Sequence, residues 1–127
     1  MSFLKNFFNA QNEGHNATWK VLDQLDQLDQ IVKDSFQKPV VLFKHSISCG
    51  ISGMSKHQLE SDWDFTEEDL DFYYLDLINH RPVSNKIASL FDVIHQSPQI
   101  IVVKDGKAVF NTSHHQISVQ GIRQAIA

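Results

Sequence analysis

Three short runs of apolar residues set the architecture of this chain: Val40-Val41-Leu42-Phe43, Phe72-Tyr73-Tyr74-Leu75-Asp76-Leu77-Ile78 and Ile100-Ile101-Val102-Val103. Each reads as a strand, and the first, short, continuous, β-branched and aromatic, reads as one buried on both faces. Between them, apolar residues recur at helical spacing. Strands separated by helices predict parallel, right-handed crossovers. Asp105-Gly106 is a strong hairpin signal and joins the third run antiparallel to Ala108-Val109-Phe110. The expected fold class is α/β, a mixed sheet of four or five strands with helices on both faces.

The helical segments are read from spacing. Residues 22–30 repeat Leu-Asp-Gln, and Leu25, Leu28, Ile31, Val32 and Phe36 make one apolar face that Lys38-Pro39 ends. Pattern alone leaves Trp19 to Leu22 as either the start of that helix or a short strand before it. Ile51, Met54 and Leu59 form the expected stripe of a second helix. Pro82 suits a first helical turn, followed by Val83, Ile87, Leu90, Phe91 and Ile94. A last helix carries Ile117, Ile122 and Ile126, with Ser118 as its cap. The acidic stretch from Asp62 to Asp71 reads as a solvated connector. Residues 1–17 read as an appendage with four apolar positions, Phe3, Leu4, Phe7 and Phe8, and residues 18–127 as a single domain.

Composition narrows the class. At 127 residues, 42% hydrophobic and 20% charged, the chain has the make-up of one folded domain rather than a disordered segment. A net charge of -4 disfavours a nucleic-acid footprint, and no apolar run is long enough for a membrane span. The first ten residues lack the apolar core and cleavage site of a secretory leader, so the expected setting is cytoplasmic. The seven histidines are scattered rather than spaced as metal ligands, and no metal site is expected.

Cys49 is the only cysteine, which excludes an intramolecular disulfide and a cysteine-rich zinc site within one chain. It follows a predicted strand and opens a predicted helix. A helix N-terminus offers unpaired amides and about half a positive charge, both of which favour thiolate over thiol. Lys44 and His45 lie just upstream and add basic character. Ser52 stands one helical turn on, where its hydroxyl could donate to the sulfur, and Gly50 places no side chain over it. Ser52 also takes the place of the second cysteine of a Cys-x-x-Cys redox motif, so an outside thiol must resolve any mixed disulfide on Cys49. On these residues alone, Cys49 is equally readable as a small buried hydrophobe. Ser97-Pro98 precedes the third strand, where a loop could lie beside Cys49.

The strand-Cys49-Gly50-Ile51-Ser52 arrangement with Ser97-Pro98 before a later strand resembles a thioredoxin-like fold. Phe43-Lys44-His45-Ser46, Tyr73-Tyr74-Leu75-Asp76, Arg81-Pro82-Val83-Ser84-Asn85, His95-Gln96-Ser97-Pro98-Gln99 and Ser113-His114 more closely resemble the monothiol bacilliredoxin family, over about Trp19 to Ile126. That resemblance implies a cis Pro98 facing Cys49 and favours Trp19 to Leu22 as a first strand. It implies thiol-disulfide exchange that removes bacillithiol, or a similar low-molecular-weight thiol, from S-thiolated client proteins. Cys49 matches the family's nucleophile and Ser52 its serine. Cys49, Ser52 and Pro98 are thus the candidate catalytic residues, and Lys44, His45, Gly50, Ser97 and Arg81 the candidates for substrate contact. The thiol is a co-substrate, and no bound cofactor is implied. The family commonly reads Thr-Arg-Cys-Pro-Ile-Ser where this chain has Ile47-Ser48-Cys49-Gly50-Ile51-Ser52. The arginine's charge is lost, and without the proline the helix start is looser. Two alternatives remain at this stage: a non-catalytic binding module of the same fold, and a carrier of an iron-sulfur cluster like the monothiol glutaredoxins, whose Cys-Gly-Phe-Ser site Cys49 to Ser52 resembles.

Overall fold

A computed structural model describes residues 19–46 and 50–127. The expected appendage, residues 1–17, lies outside the described residues, as does Cys49. The described elements are β1 (Trp19–Val21), α1 (Gln27–Asp34), β2 (Val40–His45), α2 (Gly50–Asp62), β3 (Asp71–Asp76), α3 (Arg81–Leu90), β4 (Gln99–Lys104), β5 (Lys107–Ser113), a 3-10 turn (His114–Gln116) and α4 (Val119–Ile126). The five strands form one sheet in the order β1-β3-β2-β4-β5. β1 and β2 run parallel to β3, while β4 runs antiparallel to β2 and to β5. The mixed α/β sheet read from the sequence is the one that forms, and Trp19 to Val21 takes the strand alternative.

Strand alternation divides the core in two. Val40, Leu42, Leu75, Ile101 and Val103 face α1 and α3 with Leu28, Ile31, Val83 and Ile87. Val41, Phe43, Phe72, Ile100 and Val102 face the other way, against Leu59, Trp63, Val119 and Ile122 from α2, its C-terminal extension and α4. All six residues of β2 are buried, because it is central and covered on both sides.

Several local expectations are corrected. α1 is shorter than the Leu-Asp-Gln repeat. The Gln27 side chain accepts from the Asp23 and Gln24 amides and donates to the Val21 carbonyl, fixing a turn where the periodicity suggests helix. Leu25 consequently stays largely exposed and Leu22 is buried instead; Phe36, beyond the last helical residue Asp34, is also exposed. In α2, Ser52, Ser55 and Leu59 face inward, while Ile51 and Met54 are exposed. The two serines sit where the helix needs short side chains with hydrogen-bonding partners: Ser52 Oγ accepts from the Ser46 amide and Ser55 Oγ donates to the His114 carbonyl. α3 ends at Leu90, so Ile94 leaves its apolar face and is exposed. The stretch from Asp62 to Asp71 is not merely a solvated connector: Trp63, Phe65 and Leu70 are buried. Trp63 packs edge-on to Phe72 at 4.7 Å, and Trp19 stacks on Phe72 at 4.4 Å.

The hairpin at Asp105-Gly106 forms as the dipeptide predicts. Both residues have positive φ, 53° and 77°, the pairing a tight two-residue turn requires. Its tip is fastened to the end of α1: the Asp105 amide donates to the Ser35 carbonyl at 2.9 Å and the Gly106 amide to Ser35 Oγ at 2.8 Å. Ser118 caps α4 as expected, accepting from the Gly121 amide at 3.0 Å. Among the described residues no helix is long and apolar enough to cross a membrane.

Candidate active site

The site is built where β2 ends, α2 and α3 begin, and the loop before β4 arrives. In the register, Lys44 of β2 lies opposite Gln99 of β4 and beside Leu75 of β3. Pro98 immediately precedes β4, and the Ser97–Pro98 peptide bond is cis, in the form the resemblance implies. Its loop is held from two sides. The fully buried Gln99 side chain donates to the Ile94 carbonyl at 3.0 Å and accepts from the Gln96 amide at 3.4 Å. The His114 amide donates to the Pro98 carbonyl at 3.1 Å.

Cys49 belongs to residues 47–49, outside the described residues. Its chain neighbourhood is nonetheless set, because Ser46 follows the last residue of β2 and Gly50 is the first residue of α2. α2 has 13 residues, long enough for its N-terminal amides and dipole to act on what precedes it. Gly50 is exposed, and a Cβ built on it meets nothing within 4 Å. Ser52 is fully buried, and its oxygen accepts from the Ser46 amide at 3.3 Å. That bond leaves the hydroxyl proton of Ser52 available to a further acceptor.

Lys44 and His45 are adjacent, and alternation sends them to opposite faces of the sheet. Lys44 is fully buried, on the side of α1 and α3. Its Nζ lies 3.1 Å from His95 Nδ1 in the loop before β4. Burial lowers the Lys44 pKa to about 8. His45 is 4% exposed and lies on the aromatic side, 5.5 Å from the Phe43 ring and 5.3 Å from that of Tyr74. Its pKa is lowered, chiefly by burial and then by Lys56, with Asp76 acting in the opposite sense. His45 Nδ1 is buried without a hydrogen-bond partner among the described residues, and so is Oδ1 of Asp76, its register neighbour. Both side chains are enclosed, so neither Lys44 nor His45 offers the open surface that direct substrate contact needs.

Arg81, the first residue of α3, is exposed, and Ser97 is partly so. The sequence reading quotes His95 in its motif but does not count it among the site residues. The structure gives it the Lys44 ammonium as partner and places it in the field of Arg81; burial, Lys44 and Arg81 together lower its pKa. The signal was its place in His95-Gln96-Ser97-Pro98, three residues ahead of the cis proline. Among the described residues no three His, Cys, Asp or Glu side chains are grouped to hold a metal. His114 and His115 form a 3-10 turn packed on α2.

A sheet of this order, with a cis proline opening the antiparallel strand beside β2, defines a thioredoxin fold, and similar solved structures agree. A thioredoxin-fold protein proposed to be an oxidoreductase is 32% identical, with a TM-score of 0.76, over 89% of this chain and 97% of its own. The thioredoxin of Malassezia sympodialis is 19% identical with a TM-score of 0.65, covering 84% of this chain and 86% of that one. Fasciola hepatica thioredoxin is 20% identical with a TM-score of 0.63, over 84% and 95%. Within that class, residues 20–122 match the family model described as monothiol bacilliredoxin BrxC. The chain belongs to the monothiol bacilliredoxin family, and its role is of the thiol-oxidoreductase kind.

Proposed function

We propose that the protein is a monothiol thiol-disulfide oxidoreductase that removes bacillithiol, or a closely similar low-molecular-weight thiol, from mixed disulfides on client proteins in a reducing cytoplasm. The observation that carries this reading is the family match over residues 20–122 in a chain whose one cysteine stands between β2 and α2.

The chemistry follows from a lone nucleophile. The Cys49 thiolate attacks the small-thiol sulfur of the client's mixed disulfide. The new bond joins Cys49 to the small thiol, and the client sulfur leaves with the electron pair as a thiolate. A second small thiol, as thiolate, then attacks the small-thiol sulfur of that adduct, giving the low-molecular-weight disulfide and free Cys49. The N-terminus of α2 favours the thiolate, and the spare hydroxyl proton of Ser52 is a donor one turn along the helix. The Ser97–Pro98 backbone aligns the incoming disulfide. Gly50 leaves the approach open, since nothing lies within 4 Å of its missing Cβ.

The test is intact mass after treatment with bacillithiol disulfide. The expected result is a single adduct on Cys49 that is lost in Cys49→Ser, together with reduction of a bacillithiolated client to its free thiol by wild type only. An unmodified mass, or an adduct that survives Cys49→Ser, defeats the reading.

A further inference from the structure

The Leu-Asp-Gln repeat has one leucine that the fold does not bury. Leu22 and Leu28 are enclosed, but Leu25 between them is 52% exposed. Beyond the other end of α1, Phe36 is 59% exposed. Asp26 and Ser35, on either side of α1, keep right-handed helical angles, so Leu25 and Phe36 stay close to the helix's winding. Their spacing is about three turns, which puts both on one flank, roughly 16 Å apart. The partly buried Val32 lies between them on that flank. The Phe36 ring is held in place by the hairpin tip, 3.2 Å from where a Cβ on Gly106 would stand. Next to Leu25 is an open groove of about 500 Å³, lined by Leu25, Asp26, Leu28, Asp29 and Lys86, with room for a phenyl ring.

Charge divides the same flank. Asp23, Asp26 and Asp29 stand at the Leu25 end. Lys33, Lys104 and Lys107 stand at the Phe36 end, because the Asp105 amide is bonded to the Ser35 carbonyl and Lys104 faces Lys107 across that turn. None of these six has an ion-pair partner among the described residues. Like charges directly opposed on adjacent strands cost stability, so the pairing of Lys104 with Lys107 favours an outside acid. A flank that is acidic and apolar at one end, basic and apolar at the other, is complementary to itself when turned end for end.

We propose that two copies of the chain associate through this flank, as a two-fold dimer with the two α1 helices antiparallel. The Phe36 ring of each copy enters the groove beside Leu25 of the other. That register sets Asp29 next to Lys33 of the second copy. It also brings the acidic end of each flank to the hairpin-tip lysines of the other. Every contact occurs twice, so the interface closes at two chains. Its length of about three helical turns is that of a weak, reversible dimer rather than an obligate one. The association does not depend on thiol exchange at Cys49.

The experiment is sedimentation equilibrium of the full chain over two decades of protein concentration, with a reductant present so that Cys49 cannot cross-link copies. Wild type is expected to pass from one chain to two. Phe36→Ser and Leu25→Ser, both at exposed positions, each weaken the dimer by about tenfold. Asp29→Lys and Lys33→Glu each bring like charges together across the two-fold axis, and each alone stays monomeric. Mixed in equal amounts, those two variants regain the dimer, since every lysine at these positions then meets a carboxylate of the other chain. Damage to the fold could not be repaired by mixing, so this rescue reads the interface itself. A wild type that stays monomeric throughout overturns the proposal and leaves the flank to another protein or to residues 1–18 of the same chain. Dimerisation that survives both charge reversals, or that fails to return in the mixture, overturns it as well.

Discussion

Neighbouring residues on one strand have been given opposite surroundings. Lys44 enters the aliphatic side of the sheet, under α1 and α3, and finds His95 of an exposed loop at 3.1 Å. His45 enters the aromatic side, between Phe43 and Tyr74, and its Nδ1 has no described partner. Burial depresses both pKa values. The difference lies in connection: the lysine's charge is carried toward solvent through an imidazole, whereas the histidine is held neutral in an enclosed aromatic layer. A strand's period of two is enough to separate these roles at the same end of the sheet.

That contrast can be broken or sharpened by substitution. The largest effect is expected at Lys44. Its folded pKa of about 8 lies below the ordinary lysine value of 10.5, so between those limits the unfolded chain binds more protons. Stability therefore rises as pH increases through that window, and at neutral pH the buried charge is a liability of the order of 3 kcal/mol. Lys44→Met should remove both the liability and the alkaline rise, which urea melts at pH 7 and pH 10.5 will show. A variant as pH-sensitive as wild type would mean that the lysine is not enclosed.

His45 acts with the same sign in a lower pH window. Its folded pKa is below 6.5, so stability is lost as pH falls from about 6.5 toward the folded value. His45→Phe suits the ring-lined side and should gain about 1–2 kcal/mol over wild type at mildly acid pH, and less at pH 8. Equal acid sensitivity in the two proteins would refute an enclosed neutral histidine. Ser52→Ala on the same side removes the acceptor for the Ser46 amide and should cost about 1 kcal/mol in a urea melt. The smallest effect belongs to Gly50→Ala, where a methyl enters open space at the start of α2; the expected gain is about 0.5 kcal/mol in the same melt.

The strands and their pairing were legible because short apolar runs rich in β-branched and aromatic residues favour buried strands and Asp105-Gly106 specifies its turn. α2 was misread for a physical reason. Its inward positions carry Ser52 and Ser55, which satisfy the Ser46 amide and the His114 carbonyl, while Ile51 and Met54 are exposed; a hydrophobic pattern cannot register burial by hydrogen bonding. α1 was overextended because Gln27 folds back on Val21, Asp23 and Gln24, a side-chain bond that periodicity ignores. Lys44 and Pro98 were found through their motifs. The partner of Lys44 was not, since His95 lies 51 positions away and only the β2–β4 pairing brings the two together.

The Ser35 clasp on the hairpin tip has a consequence for the protein's fluctuations. Amides at a two-residue turn ordinarily exchange with solvent almost freely, but those of Asp105 and Gly106 are given to the carbonyl and hydroxyl at the end of α1. Their hydrogens can exchange only when that junction opens, so deuterium uptake at the tip reports the local opening of the first helix rather than of the turn itself.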